Sequence, residues 1–194
     1  ILYYNNGDGT FQNTTKEKLK HMSQYSMGSD TGDINNDVLI DLMTTDMTPE
    51  DHYRSKMNMA SMDTEAFNEL VKSSESYQYM SNTLQINTGM GVFSDVANLS
   101  GISNTDWSWA SLIVDLDNDG WKDIIVSNGI KKDIDNNDYR NLVNKLDKKI
   151  APEELFKFSK SVPSIPISNY AFKNKGDLEF EKVTKEWGFD AASF

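Results

Sequence analysis

Two short apolar runs flank an acidic stretch in the second half of the chain. Residues 111–114 are Ser-Leu-Ile-Val and residues 124–126 are Ile-Ile-Val, so both runs are short and rich in β-branched residues. Such runs predict β-strands rather than helices. Four of the nine residues between them are aspartates at alternating or nearly alternating positions: Asp115, Asp117, Asp119 and Asp123. Gly120 follows the third of these aspartates. The pattern therefore predicts two strands joined by an acidic loop.

The spacing of these acids indicates a binding site for a hard divalent cation. Ca²⁺ takes about six to eight oxygen ligands, and acids at every second residue of a loop can surround one point. Gly120 allows a sharp turn with positive φ. An EF-hand is excluded, because its position twelve would be Val126 instead of glutamate and its flanks would be helices. The alternative is an acidic hairpin that binds nothing.

The acidic loop belongs to an internal repeat. Shifting the chain by 82 residues without a gap aligns residues 2–11 with 84–93 and residues 33–41 with the loop at 115–123. In each copy, the first aspartate of the loop lies 22 positions after the phenylalanine at the end of the first block (Phe11 or Phe93). A third copy begins at residues 169–180, which align with residues 82–93 at an offset of 87. The chain thus contains two full units and the opening of a third, and we expect it to be part of a longer protein.

Each unit predicts about four strands. A strand ends in Asn-x-Gly-x-Gly or a close variant, which suits a tight hairpin, and a second strand starts at the phenylalanine. The strand–acidic loop–strand element follows. Radial repetition of four-stranded sheets is a β-propeller, and a β-solenoid is the structural alternative.

Two segments between the units have a different pattern. Residues 48–80 begin Thr-Pro-Glu-Asp, which predicts a helix capped by Thr48, and Phe67, Leu70 and Val71 follow at helical spacing. Residues 131–166 show the same spacing and a second helix start at Pro152, before Pro163 and Pro166 end the segment. The apolar residues at helical spacing in this segment are Tyr139, Leu142, Val143 and Leu146, then Leu155, Phe156 and Phe158. We interpret both segments as helical insertions that join one blade to the next. They serve either as packing elements or as a surface for a partner, and Met57, Met59, Met62 and Met80 are interpreted as adaptable core filler.

The predicted organisation is therefore all-β with helical insertions inside one partial propeller of four-stranded blades. Its parts are repeat 1 at 1–47, an insertion at 48–80, repeat 2 at 81–130, an insertion at 131–166 and the truncated start of repeat 3 at 167–194.

Composition narrows the possible functions. The formal net charge of −11 argues against a nucleic-acid partner, because phosphate binding requires clustered lysine and arginine. The chain has no cysteine, and its two histidines, His21 and His52, lie far apart, so thiol chemistry, a zinc site and a histidine-based triad are poorly supported. No apolar run reaches the roughly 18–20 residues that a membrane span needs.

The hairpin Asn-x-Gly-x-Gly-x-Phe together with the loop Asp-x-Asp-x-Asp-Gly-x-x-Asp resembles the FG-GAP/VCBS repeat family. Residues 107–111 (Trp-Ser-Trp-Ala-Ser) resemble the bacterial members found with an ASPIC/UnbV domain. The resemblance implies a β-propeller, usually of seven blades, similar to the head of integrin α subunits.

The resemblance also implies a calcium ligand set. One Ca²⁺ per loop would be held by side chains at loop positions one, three, five and nine and by the backbone carbonyl at position seven. In the second loop these positions are Asp115, Asp117, Asp119, Trp121 (carbonyl) and Asp123, and in the first loop they are Asp33, Asn35, Asp37, Leu39 (carbonyl) and Asp41.

The first loop departs from the pattern at two positions. Asn35 replaces an acid, and Val38 occupies the glycine position, where a β-branched residue with positive φ is costly. Either this loop turns differently or strain weakens its site. Because ligand charge tunes calcium affinity, we predict that the second loop binds Ca²⁺ more tightly than the first.

The predicted function is a non-enzymatic, calcium-binding scaffold for adhesion or for binding a protein or glycan. It is expected outside the cell, at the cell surface or associated with a bacterial outer membrane. The alternatives are a propeller-fold polysaccharide lyase or glycosidase, and an accessory subunit of a larger outer-membrane complex. No catalytic residue is predicted, because nothing in the sequence brings Asp46, Asp106 and His52 together. Trp107 and Trp109 are interpreted as repeat-specific packing residues, with stacking on a sugar or partner as the alternative.

Overall fold

The computed structural model of the protein describes residues 1–58, 64–74, 77–134, 136–145 and 151–193. Met59, Met62 and Leu146, which the sequence places in the insertions, lie outside these residues. Up to the first insertion the elements are β1 (Tyr3–Asn5), β2 (Phe11–Asn13), α1 (Thr15–Lys18), β3 (His21–Ser23), β4 (Gly28–Gly32), β5 (Asp41–Thr45) and β6 (Met47–Thr48). The middle of the chain forms α2 (His52–Met57), α3 (Thr64–Ser74), β7 (Tyr77–Tyr79), β8 (Thr83–Asn87), β9 (Phe93–Asp95), β10 (Asp106–Val114) and β11 (Asp123–Asn128). The last part forms α4 (Asn137–Lys145), α5 (Pro152–Ser161), β12 (Ile167–Ser168), β13 (Tyr170–Asn174), β14 (Phe180–Lys182) and β15 (Ala192–Ser193).

Two antiparallel sheets form the centre of the structure. The first sheet has four strands in the order β4-β5-β8-β9, with Met43 opposite Leu84 in the middle. The second sheet has the order β14-β13-β11-β10-β6, with Ile124 opposite Phe172. Mostly β structure with four-stranded antiparallel units is consistent with a fragment of a propeller, as the repeat predicts.

Each sheet combines strands from two sequence units. In the first sheet, β4 and β5 come from the first unit and β8 and β9 from the second. In the second sheet, β10 and β11 come from the second unit and β13 and β14 from the third, and the two-residue strand β6 pairs with β10 at its edge. The insertion at 48–80 consequently lies between the second and third strands of the first sheet, and the insertion at 131–166 lies at the same place in the second sheet. The expectation that the insertions join one blade to the next is therefore wrong, because a repeat alone does not reveal where along its period a sheet begins.

The two sheets share one apolar core. Ile34, Met43, Leu84 and Ile86 of the first sheet and its loop pack with Ile113, Ile124, Val126 and Phe172 of the second. The strands β4 and β10 approach most closely, where Asp30 accepts a hydrogen bond of 2.7 Å from the backbone N–H of Ile113. This packing places the end of β4 and the end of β10 next to each other.

The helical segments form helices, but the first begins later than predicted. Asp51, not Thr48, caps α2, by accepting a hydrogen bond of 2.8 Å from the Arg54 backbone N–H. Thr48 instead pairs with Asp106 in the strand ladder and donates its hydroxyl to the Met80 carbonyl. Pro152 is the first residue of α5, as predicted.

The insertion helices contribute little to the core. Neither α4 nor α5 contains a buried residue, and Leu142, Val143, Leu155 and Phe156 are exposed. In α3, Phe67 stacks on Tyr79 at 5.7 Å between ring centroids. Met57 and Met80 are half-buried. Packing against the rest of the chain thus explains the apolar residues of α3 better than those of α4 and α5.

Candidate metal centre

Both acidic loops join two adjacent antiparallel strands of a sheet. The first loop (residues 33–41) connects β4 to β5, and the second loop (residues 115–123) connects β10 to β11. The strand–loop–strand arrangement predicted around the second loop is confirmed, and the first loop shares it.

The two loops have the same backbone conformation despite their different sequences. Asn36 and Asn118 have φ values of 58° and 59°, and Val38 and Gly120 have φ values of 69° and 91°. The first loop therefore does not avoid the left-handed conformation at Val38. Since a β-branched residue is costly there, this loop carries local strain that the second loop lacks.

A common set of hydrogen bonds, from 2.8 to 3.3 Å, holds each loop around its acids. The backbone N–H groups of residues four and five positions after the first aspartate donate to its two carboxylate oxygens. Residue five of each loop also accepts from the N–H of residue seven, which is Leu39 or Trp121. The carboxylates are thus preorganised by the main chain.

The last aspartate of each loop is buried within the sheet. Asp41 and Asp123 have no exposed surface. Each accepts one hydrogen bond from its own loop and one from the adjacent strand, through the N–H of Asn87 or Asn174 respectively. Burial raises the pKa of both carboxyl groups above the ordinary value, and these hydrogen bonds offset part of the effect. A nearby cation would relieve the cost of burying each charge.

The second loop brings three of its four predicted acidic ligands together. Asp115, Asp117 and Asp123 each offer a carboxylate oxygen, and these oxygens lie within 4.8 Å of one another. Asp119 falls outside this group of three: one of its oxygens accepts from the Trp121 N–H, and this bond, followed by the ammonium of Lys173, lowers the pKa of its carboxyl group. All three converging ligands are oxygens, which fits a hard divalent cation such as Ca²⁺.

In the first loop, no three acidic side chains converge to the same extent among the described residues. The Asn35 side-chain N–H₂ donates to Asp37 over 2.9 Å, so one predicted ligand is hydrogen-bonded to another. Leu39 occupies position seven in the same turn, and the Leu39 side chain lies near Gly89 in the adjacent hairpin.

One functional candidate could not be found from the sequence motif. Lys173 on β13 contacts Asp117 and lies 3.0 Å from Asp119. These contacts raise the pKa of the Lys173 ammonium group. It lies 56 residues from Asp117 in sequence, and only the pairing of β13 with β11 brings it to the loop.

Three of the other groups considered as candidates, Asp46, Asp106 and Trp109, have structural partners. Asp46 accepts hydrogen bonds from Ser23 and from the backbone of Tyr25, while Asp106 forms an ion pair with Arg54. The Trp109 indole N–H donates to the Gly129 carbonyl at 2.6 Å, although its ring is half exposed. Within the described residues, none of the helices combines the length and apolar character needed to cross a membrane.

The fold and loops define a propeller-like β-protein with acidic inter-strand loops. Residues 70–126 match the FG-GAP-like repeat, a span that contains β8, β9, β10 and the second loop. This match supports the resemblance to the FG-GAP family. Comparisons with curated proteins and with solved structures found no match. FG-GAP repeats are generally structural or binding modules, which fits a protein that is not an enzyme.

Proposed function

We propose that this chain is part of a calcium-stabilised, integrin-like propeller scaffold that binds a protein or glycan partner. The convergence of Asp115, Asp117 and Asp123 is the observation that carries the proposal, because three carboxylate oxygens within 4.8 Å of one another repel, and one divalent cation among them would relieve that repulsion. The common hydrogen bonds of the two loops support a second, weaker site in the first loop.

The residues of the second loop would supply most of an oxygen shell. Asp115 and Asp117 would contribute from the loop, Asp123 from the start of β11, and the Trp121 carbonyl and Asp119 would complete the set implied by the family. A bound Ca²⁺ would neutralise these charges and hold the ends of β10 and β11 together. Binding to the native state alone stabilises a protein by about 2.7 kcal/mol when the ligand is at one hundred times its Kd.

A role in binding is supported by the helices of the second insertion. The exposed apolar residues of α4 and α5 would provide contact area for a partner, since large exposed apolar side chains grouped together mark interaction surfaces. We place the scaffold at the cell surface, outside the cell or at a bacterial outer membrane, because calcium is abundant there. Attachment to a larger surface complex is compatible with the same helices.

Calorimetric titration with Ca²⁺, together with thermal melts in calcium and in chelator, tests the proposal. We expect saturable binding and a marked rise in Tm for the wild type. Replacing Asp115 and Asp119 by alanine should remove most of the rise. A variant with Glu17→Ala and Glu69→Ala loses the same charge from exposed helix positions and should keep it. If calcium has equal effects on wild type and the loop variant, the second loop is not a structural metal site.

A further inference from the structure

The Lys173 side chain reaches across the second sheet to the second loop. Its Nζ contacts Oδ2 of Asp117 and lies 3.0 Å from Oδ2 of Asp119. The three side chains are 24%, 27% and 33% exposed, so the ion pairs are partly shielded from water. A single ammonium group thus bridges two residues that the proposed function assigns to calcium.

The first loop has a different neighbour at the equivalent position. Asn87 and Asn174 make the same backbone hydrogen bond to the last aspartate of their loops, so the residues before them, Ile86 and Lys173, occupy equivalent places. Ile86 is an apolar residue in the core. Among the ion pairs of the described residues, none reaches Asp33 or Asp37. In the described part of the chain, a lysine is thus ion-paired with the acids of the second loop and not with Asp33 or Asp37 of the first.

We propose that Lys173 is a tethered competitor for the cation of the second loop. Its ammonium neutralises Asp117 and Asp119 when no metal is bound, and it must leave them before both can act as ligands. The second loop consequently binds Ca²⁺ more weakly than its carboxylates predict, and it keeps its fold when calcium is scarce. This inference rests on the proposed function, since it concerns the affinity of the same site.

Charge supports this role. The four aspartates of the second loop and the Lys173 ammonium together carry a formal charge of −3, equal to that of the three aspartates of the first loop. Ligand charge is a main determinant of calcium affinity, so the lysine reduces the advantage that the sequence predicts for the second loop. The loop with more acids would then be the one that depends less on calcium for its fold.

The test measures calcium binding at the second loop alone. A parent variant with Asp33→Asn and Asp37→Asn removes two carboxylates of the first loop and leaves the second as the site to be titrated. In this parent, Lys173→Met should lower the Kd for Ca²⁺ about fivefold, the factor expected for a partly exposed ion pair. Lys175→Met is the matched control, because Lys175 lies two residues further on and pairs with Glu181 at 3.2 Å. It should change the Kd by less than about twofold, since it removes the same charge without touching the loop.

Thermal melts in chelator give a second readout that does not depend on the affinity for calcium. In chelator, Lys173→Met should lower the Tm relative to the parent, because the acids of the loop lose their counter-charge. The rise in Tm on adding calcium should then be larger than in the parent. If Lys173→Met folds poorly, Lys173→Gln provides the same comparison with a polar side chain.

The outcomes separate the two proposals. Saturable binding with an equal Kd in the parent and in both Lys173 variants would overturn the competitor role and leave the calcium scaffold standing. Absence of calcium binding in the wild type and in every variant would overturn the proposed function, and the role of Lys173 with it.

Discussion

The side-chain N–H₂ of Asn36 donates a hydrogen bond to the backbone carbonyl of Gly120 over 3.2 Å. This contact joins the first loop to the second, although 84 residues separate the two in sequence. The two loops are therefore neighbours at the same end of the packed sheets. A change in the structure of one loop can alter the structure of the other.

Replacing Asn36 by glycine should weaken this connection between the loops. Asn36 has φ 58° and Asn118, at the equivalent position of the second loop, has φ 59°, so Asn118→Gly makes the same backbone change. We expect Asn36→Gly to lose about 0.5–1 kcal/mol more than Asn118→Gly, the usual contribution of one hydrogen bond. Urea unfolding of both variants measures the difference, and equal losses would show that the contact contributes nothing.

Val38 offers a direct test of strain in the first loop. Its side chain is 89% exposed, so its removal sacrifices almost no packing, and its φ is 69°. Val38→Gly should raise the free energy of unfolding by about 1 kcal/mol, because relief of the left-handed strain exceeds the entropy that glycine loses on folding. Gly120→Val, the reverse change in the second loop, should be destabilising. A loss of stability in Val38→Gly would contradict the assignment of strain.

Short-range patterns predicted those features that depend on neighbouring residues. Phe11, Phe93 and Phe180 each begin a strand, as the hairpin motif indicates. The second acidic loop connects two strands, as the β-branched runs that flank it predict, and a spacing of 82 residues reproduces even the positive φ of Asn36 and Asn118. The identity of the bound ion and the complete ligand sets stay predictions.

Features that depend on tertiary pairing could not be predicted in the same way. Thr48 has the sequence features of a helix cap, but its pairing with Asp106 draws it into a strand and moves the helix start to Asp51. Lys173 has no motif that connects it to Asp117. The boundaries of the sheets could not be predicted from the repeat either. A periodic sequence shows the length of the repeating unit but not the residue at which each sheet begins.

The close approach of β4 to β10 predicts that two glycines of β4 differ in how much stability is lost when each is replaced by alanine. A Cβ at Gly28 would lie 2.5 Å from the Trp109 carbonyl oxygen and 2.6 Å from the Ala110 Cα, both backbone atoms. A Cβ at Gly32 would lie 2.6 Å from the Ile113 Cγ2, a side-chain atom that can move. We expect Gly28→Ala to cost about 3 kcal/mol and Gly32→Ala about 1 kcal/mol, since overpacking costs least where a neighbour can adjust. Equal tolerance in urea unfolding would mean that β4 and β10 can separate freely.

The ion pair between Arg54 and Asp106 predicts how the first insertion is attached to the second sheet. Arg54 on α2 donates from Nε and Nη2 to the two carboxylate oxygens of Asp106, each over 2.9 Å. Asp106 is buried at the start of β10 and has φ 66°. Arg54→Met should cost about 3 kcal/mol, because it leaves a buried carboxylate without its counter-charge.

A double-mutant cycle separates that penalty from the loss of arginine packing. With Asp106→Asn in place, the carboxylate is gone, so the further change Arg54→Met should cost at least about 1 kcal/mol less than it does alone. Lys56→Met on the same helix removes an exposed charge and should change stability by less than about 0.5 kcal/mol. Additive effects of the two substitutions at the ion pair would show that it does not hold α2 on β10. The attachment of the insertion would then depend on other contacts, such as the hydrogen bond of 2.9 Å from Tyr170 to Glu50.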